Sequence, residues 1–132
     1  MPIELTCLGW SVVLLFIHIF VQGQFLARDW GAAYNAGPRD QGDLPRTVHA
    51  GRSYRALRNY LQTYPAFIAL ACGLVLVNRT GGIAETGALI WLIARVVYLG
   101  LYLAGTTYVR TVAWIASIIG LVLMLVRFMG WV

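Results

Sequence analysis

Long apolar stretches without charge set the strongest limit on what this chain can fold into. No Asp, Glu, Lys or Arg occurs from Leu5 to Val21, and further apolar segments follow. A membrane-spanning helix needs about 20 mostly apolar residues. Overall, 60% of the residues are hydrophobic, 11% are charged and the mean hydropathy is +0.73, whereas a soluble domain has about 25% charged residues. The sequence therefore predicts an all-α integral membrane protein in contact with lipid.

The 132 residues have room for four spanning helices, one long loop and short connections. The polar segment at about 28–55 is predicted to be the loop, because GPRD and further Gly and Pro residues interrupt any helical period. The apolar run from Ala66 to Val77 is too short to span alone, so we begin its helix near Arg58. The predicted four-helix membrane bundle is a single domain over 1–132, with helices at about 3–27, 58–78, 84–104 and 112–130.

The basic residues predict the orientation in the membrane. One side of the predicted bundle has Arg79 and Arg127. The other side has seven arginines near the membrane ends: Arg28, Arg39, Arg46, Arg52, Arg55, Arg58 and Arg110. Cytoplasmic loops are enriched in Lys and Arg, so we expect a cytoplasmic first loop and termini on the non-cytoplasmic side.

The formal charge of +5 does not by itself indicate nucleic-acid binding. A basic face for phosphates must be exposed to water, and this chain has little such surface. Cys7 and Cys72 lie in apolar stretches without a second Cys or His at metal-ligand spacing. We therefore expect neither a nucleic-acid partner nor a metal site.

The second predicted helix carries a polar face whose hydrogen-bonding groups lipid cannot satisfy. Arg55, Asn59 and Gln62 are spaced i, i+4 and i+7, which places them on one side of a helix, with Arg58 beside them. Two interpretations fit. The arginines extend to lipid headgroups while the amides bond to other helices, or the face binds a polar ligand.

The third predicted helix carries Arg95 near its middle, followed by Tyr98 and Tyr102 at i+3 and i+7. A charged residue there costs about 2.5 to 3.5 kcal/mol on insertion scales, so Arg95 needs a partner or a wet cavity. The tyrosines also fit an interfacial aromatic belt. Arg110 and Thr111 lie where the next helix begins. Together these residues suggest a site for an amide-rich anion.

The order of these motifs resembles the membrane-associated proteins in eicosanoid and glutathione metabolism, the MAPEG family. The most specific segments are R-A-L-R-N-Y-L-Q-T-Y-P, ending at Pro65, and A-R-V-V-Y-L-G-L-Y, ending at Tyr102, with Arg110 eight residues later. The resemblance extends over nearly the whole chain. It implies a four-helix protomer in a homotrimer, with glutathione bound between protomers near the cytoplasmic face.

The resemblance also implies roles for individual residues. Arg110 looks like the catalytic arginine that stabilises the glutathione thiolate. The implied glutathione-binding residues are Arg55, Arg58, Asn59, Gln62, Arg95, Tyr98, Tyr102 and Thr111. The implied activity is a glutathione-dependent transferase or peroxidase reaction on a lipophilic electrophile, with glutathione as co-substrate.

Two positions depart from the pattern of the catalytic members. Gln62 stands where they usually have a glutamate for the ammonium group of the ligand, and no arginine follows Gly23 and Gln24 until Arg28. These departures favour an alternative, a non-catalytic membrane subunit or lipid-binding protein that keeps the fold without thiol chemistry. A third interpretation is a small oligomeric pore lined by Arg95, although the sequence has no inverted repeat.

Overall fold

A computed structural model of the chain describes residues 1–40, 45, 47–106 and 108–132. Within this part of the chain the secondary structure is entirely helical, and four of the helices are long and apolar enough to cross a membrane. The predicted four-helix membrane bundle is thereby confirmed. The helices are α1 (Ile3–Trp30), α2 (Ala32–Ala36), α3 (Val48–Leu76), α4 (Ile83–Ala104) and α5 (Tyr108–Phe128).

The helix bounds differ from the prediction mainly in α3, which begins at Val48 rather than near Arg58. Thr47 caps this helix, because its hydroxyl oxygen accepts from the backbone N–H of Ala50 at 3.3 Å. Asp29 holds Thr47 in turn, accepting from its hydroxyl at 3.0 Å and its backbone N–H at 3.2 Å. The prediction was wrong because it gave this helix only the length that spans a membrane, whereas α3 extends about 42 Å, well beyond a hydrocarbon core of about 30 Å.

The predicted loop at about 28–55 is correspondingly shorter. α1 continues to Trp30 and ends where Gly31 adopts a φ of +92°, a conformation that glycine tolerates best. The five-residue α2 follows. The segment 41–44 and Arg46, which was counted for the orientation, lie outside the described residues. After the short connection between α4 and α5, α5 begins at Tyr108 rather than near 112.

Helices α4 and α5 approach each other closely at two glycines. A Cβ atom on Gly87 would lie 2.5 Å from the carbonyl oxygen of Gly120, and one on Gly120 would lie 2.6 Å from the carbonyl oxygen of Gly87. Small residues at helix crossings in membranes allow backbones to pack directly. This crossing therefore fixes the start of α4 against the middle of α5.

An aromatic cluster joins α3 to α1 and α4. Phe67 and Trp91 stack with ring centroids 4.0 Å apart, and Tyr60 and Tyr64 lie on the same side of α3 at 4.7 Å. The Tyr60 hydroxyl donates to the backbone carbonyl of Ser11 at 2.6 Å. A hydroxyl that is buried inside a membrane protein needs a hydrogen-bond partner. Because Ser11 of α1 supplies this partner, the bond fixes the rotation of α3 relative to α1.

The two ends of the bundle have different chemistry. We call the end with the chain termini and the α3–α4 turn the terminal end, and the end with the long α1–α3 connection the loop end. At the terminal end, buried Glu4 accepts from the backbone N–H of Gly81 at 2.6 Å. Outward apolar side chains such as Phe16, Phe20 and Ile93 are exposed between the two ends, where they contact lipid.

Candidate functional site

The polar face of α3 lies at the loop end, where α3 meets the last turns of α4 and the first turn of α5. A cavity of about 340 Å³ opens there between the three helices. Helix α3 supplies four lining residues, α4 two and α5 one. The lining consists of Arg55, Arg58, Asn59, Gln62, Tyr98, Tyr102 and Arg110. Seven residues singled out from the sequence therefore surround one space.

Tyr102 organises the cationic part of this cavity. The Nε of Arg55 donates to the Tyr102 hydroxyl at 3.2 Å, and the Arg110 guanidinium carbon lies 4.4 Å from the centre of the Tyr102 ring. A guanidinium over an aromatic face is attracted by the ring quadrupole. The contact orients Arg110 without using its N–H groups, which donate to none of the described residues.

Arg95 does not line the cavity, contrary to its predicted role as a ligand contact. Its side chain is 0% exposed and lies behind two lining residues. One terminal nitrogen, Nη1, donates to Oδ1 of Asn59 at 2.8 Å, and the guanidinium carbon lies 4.4 Å from the centre of the Tyr98 ring. The expectation that Arg95 needs a partner is met by an amide and aromatic rings, although its Nε and Nη2 have no hydrogen-bond partner among the described residues.

The contact with Arg95 fixes the Asn59 amide. Because a guanidinium can only donate, the amide oxygen of Asn59 must face it. The amide nitrogen of Asn59 is then directed away from Arg95 as a donor. Arg95 thus orients a residue that lines the cavity, while its own side chain is not part of the lining.

Thr111 is the other predicted site residue that is not part of the cavity lining. It is exposed in the first turn of α5, one helical step from Arg110. Successive residues of a helix point about 100° apart, since one turn takes 3.6 residues. Arg110 faces the cavity, so its neighbour faces elsewhere.

The cavity has a strong excess of positive charge. Three of its lining residues are arginines, and none of the lining residues that the structure describes is acidic. Glu4 and Glu85 lie at the terminal end, and Asp29 accepts from Thr47. Guanidinium groups pair well with carboxylates and other planar anions, so this arrangement suits an anionic ligand.

Two contributors at the loop end were missed from the sequence. Tyr54 lies beneath Arg58, with the guanidinium carbon 5.8 Å from the ring centre. Arg52 donates to the backbone carbonyl of Leu103 at 3.4 Å, near the end of α4. Tyr54 is spaced i, i+4 from Arg58, so helical spacing could have indicated this contact had α3 been extended to Val48.

The fold and the cavity define a multi-pass helical membrane protein with a cationic, tyrosine-lined pocket at one end of its bundle. Residues 5–130 match the model of the MAPEG family. The chain belongs to this family, which confirms the resemblance inferred from its motifs. Comparisons with curated proteins and with solved structures gave no match.

Proposed function

We propose that this protein is a membrane-bound glutathione-dependent transferase or peroxidase that acts on lipophilic electrophiles. The observation that supports this most directly is the clustering of Arg55, Arg58 and Arg110 around one cavity with amide and tyrosine side chains. Glutathione presents two carboxylates, two amide groups, an ammonium group and a thiol. Guanidiniums, amides and hydroxyls complement its carboxylates and amides.

Within this proposal, different lining residues bind different chemical groups of the ligand. Arg55 and Arg58 pair with its carboxylates, and Asn59 and Gln62 bond to its amide backbone. The hydroxyls of Tyr98 and Tyr102 supply further contacts. Arg95 contributes through the orientation of Asn59, and Thr111 through its position beside Arg110 in the first turn of α5.

Arg110 is the proposed catalytic residue because it favours the ionised thiol. A cysteinyl thiol with a pKa of about 8.5 is only a few per cent thiolate at pH 7. The guanidinium of Arg110 and the N-terminus of α5, which carries a partial positive charge, both stabilise a nearby anion. Lowering the thiol pKa by about two units requires about 2.7 kcal/mol.

The thiolate then attacks an electrophile delivered from the bilayer. In a transferase reaction, a sulfur–carbon bond forms while the leaving group departs with its electron pair, and the thiol proton goes to water. In a peroxidase reaction, two glutathione molecules are oxidised to the disulfide while a lipid hydroperoxide is reduced to its alcohol and water. Both routes begin with the same thiolate.

The proposal includes a homotrimer whose loop end faces the cytoplasm. Arg55, Arg58 and Gln62 are exposed on a single chain, and charged groups within a membrane are costly unless protein or water covers them. A neighbouring protomer against α3 would supply that cover. The arginine-rich connections support the cytoplasmic orientation.

A second candidate function is a non-catalytic family member that binds lipid or another protein. Gln62 favours this candidate, since an amide forms a weaker bond to an ammonium group than a carboxylate does. In this case glutathione would not bind. Arg110→Ala would also leave every measurable phenotype unchanged.

The test is thermal unfolding of the detergent-purified protein over a glutathione titration. A ligand at a hundred times its Kd that binds only the native state adds about 2.7 kcal/mol. We expect this stabilisation in wild type and in Arg127→Ala, the matched control at the terminal end, and a smaller stabilisation at the same glutathione concentration in Arg110→Ala and Asn59→Ala. If millimolar glutathione does not stabilise wild type, the second candidate is favoured.

The pH dependence of conjugation tests the role of Arg110 separately. At pH 7 a thiol with a pKa of about 6.5 is about three-quarters ionised, and one with a pKa of about 8.5 is about 3% ionised. Arg110→Ala should therefore reduce the rate at saturating glutathione about 25-fold at pH 7. The deficit should nearly close above about pH 9, where both thiols are ionised. A deficit that is independent of pH would exclude thiolate stabilisation by Arg110.

A further inference from the structure

The cavity has no acidic partner for an ammonium ion among its described lining residues. Its described lining has three arginines and no carboxylate, although free glutathione carries an ammonium group as well as two carboxylates. Like charges at short range repel each other, and this effect grows as water is excluded. The positive end of glutathione is therefore poorly matched to the charge of the site.

Two hydrogen-bond acceptors of the cavity already accept from arginines. The amide oxygen of Asn59 accepts from Arg95 at 2.8 Å, and the Tyr102 hydroxyl oxygen accepts from Arg55 at 3.2 Å. An ammonium group has three donors and no acceptor. Within the described lining, the side-chain acceptors that do not already face a guanidinium donor are the amide oxygen of Gln62 and the hydroxyl of Tyr98.

We infer that the preferred co-substrate of this site is an anionic thiol whose amine is acylated, so that it carries carboxylate but no ammonium. This inference rests on the proposed thiol chemistry in the cavity and narrows its substrate class. Acylation replaces the positive group by a neutral amide. The added carbonyl accepts from the donors that are in excess here, and the amide N–H bonds to a single acceptor.

Gln62 is the residue that determines this selectivity. Its side-chain amide both donates and accepts, so it can bond to either the N–H or the carbonyl of the acylated amide. A carboxylate at this position would pair with an ammonium group and repel additional negative charge. Replacing Gln62 by glutamate should therefore change the preferred ligand from the acylated thiol to the thiol with a free ammonium group.

The experiment compares binding of glutathione and N-acetylglutathione, in which only the α-amine is acetylated, to the full-length detergent-purified protein. We expect the acetylated ligand to bind wild type about tenfold more tightly, as measured by calorimetry or thermal shift. That factor corresponds to about 1.4 kcal/mol, and its direction reflects the repulsion between like charges that acylation removes. Gln62→Glu should reverse the preference.

Asn78→Asp is the matched control, because it also replaces an amide by a carboxylate, and Asn78 is exposed in the α3–α4 turn at the terminal end and is not among the lining residues. It should keep the wild-type preference for the acetylated ligand. Equal affinities in wild type, or tighter binding of glutathione, would overturn the inference while leaving the glutathione-dependent function intact. If neither thiol binds, the proposed function fails and this inference falls with it.

Discussion

Arg79 and Arg127 at the terminal end use their donors differently from Arg58 and Arg110 at the loop end. At the terminal end, Nη1 of Arg79 donates to the carbonyl of Phe128 at 2.9 Å, and Nε of Arg127 donates to the carbonyl of Arg79 at 3.1 Å. At the loop end, Arg58 and Arg110 lie against aromatic rings. The first pair bonds to backbone, whereas the second pair keeps its N–H groups available.

This difference separates arginines that stabilise the fold from arginines that can bind a ligand. The last carbonyls of a helix have no partner within the helix, and a nearby guanidinium can satisfy them. An aromatic ring orients a guanidinium without using its hydrogen bonds. The contacts of each arginine thus indicate its role better than its position in the sequence does.

The largest effect is expected from Gly87→Ala, which should disturb both ends because they share the α4–α5 crossing. The new Cβ would lie 2.5 Å from the Gly120 carbonyl oxygen, so the helix backbones must separate. Overpacking of this kind costs about 1 to 3 kcal/mol. We expect a lower thermal midpoint and weaker glutathione binding.

Gly100→Ala is the control for this substitution, because no atom lies within 4 Å of a Cβ added at Gly100 in the same helix. It should leave the thermal midpoint unchanged or raise it slightly, since alanine favours helix over glycine. If both variants lose the same stability, close contact at the crossing is not the cause.

The four-helix fold and most of the residues that line the cavity were predicted from the sequence. The residue at which α3 begins was not. Apolar length defines spans, and i, i+4, i+7 spacing brings Arg55, Asn59 and Gln62 to one face wherever the helix begins. The start of α3 at Val48 depended on the bond between Asp29 and Thr47. Helical periodicity within α3 contains no information about that long-range contact.

Arg95 and Thr111 show the same limit for the site. Both are next to cavity residues in sequence or in helical spacing, yet neither lines the cavity. Whether a side chain points into a cavity or behind it depends on how α3, α4 and α5 are rotated against each other. The Ser11 contact of Tyr60 and the glycine crossing set those rotations, and neither follows from the periodicity of a single helix.

Arg95→Met tests whether the buried arginine contributes to ligand binding rather than to the stability of the fold. A lone buried charge is costly, and an apolar residue of similar volume is often neutral or stabilising in its place. We therefore expect a thermal midpoint at least as high as that of wild type without ligand. Glutathione affinity should fall about tenfold, comparable to the loss of one charge-assisted hydrogen bond, because the Asn59 amide loses its fixed orientation.

A double-mutant cycle with Asn59→Ala separates positioning from direct contact. If Arg95 acts through Asn59, then Arg95→Met should have little further effect on glutathione affinity in the Asn59→Ala background. Additive losses would indicate an independent contribution of Arg95. A large fall of the ligand-free midpoint in Arg95→Met would instead assign Arg95 to the fold.

The smallest effect is expected from Arg127→Ala at the terminal end. This change removes the donor to the Arg79 carbonyl, and one such exposed bond contributes about 1 kcal/mol. The thermal midpoint should therefore fall modestly, while the Kd for glutathione stays at its wild-type value because the cavity is at the opposite end. Calorimetry at a fixed detergent concentration measures both quantities. A weaker Kd with an unchanged midpoint would contradict the division of arginines between fold and site, since a residue bonded only to backbone would then influence the ligand.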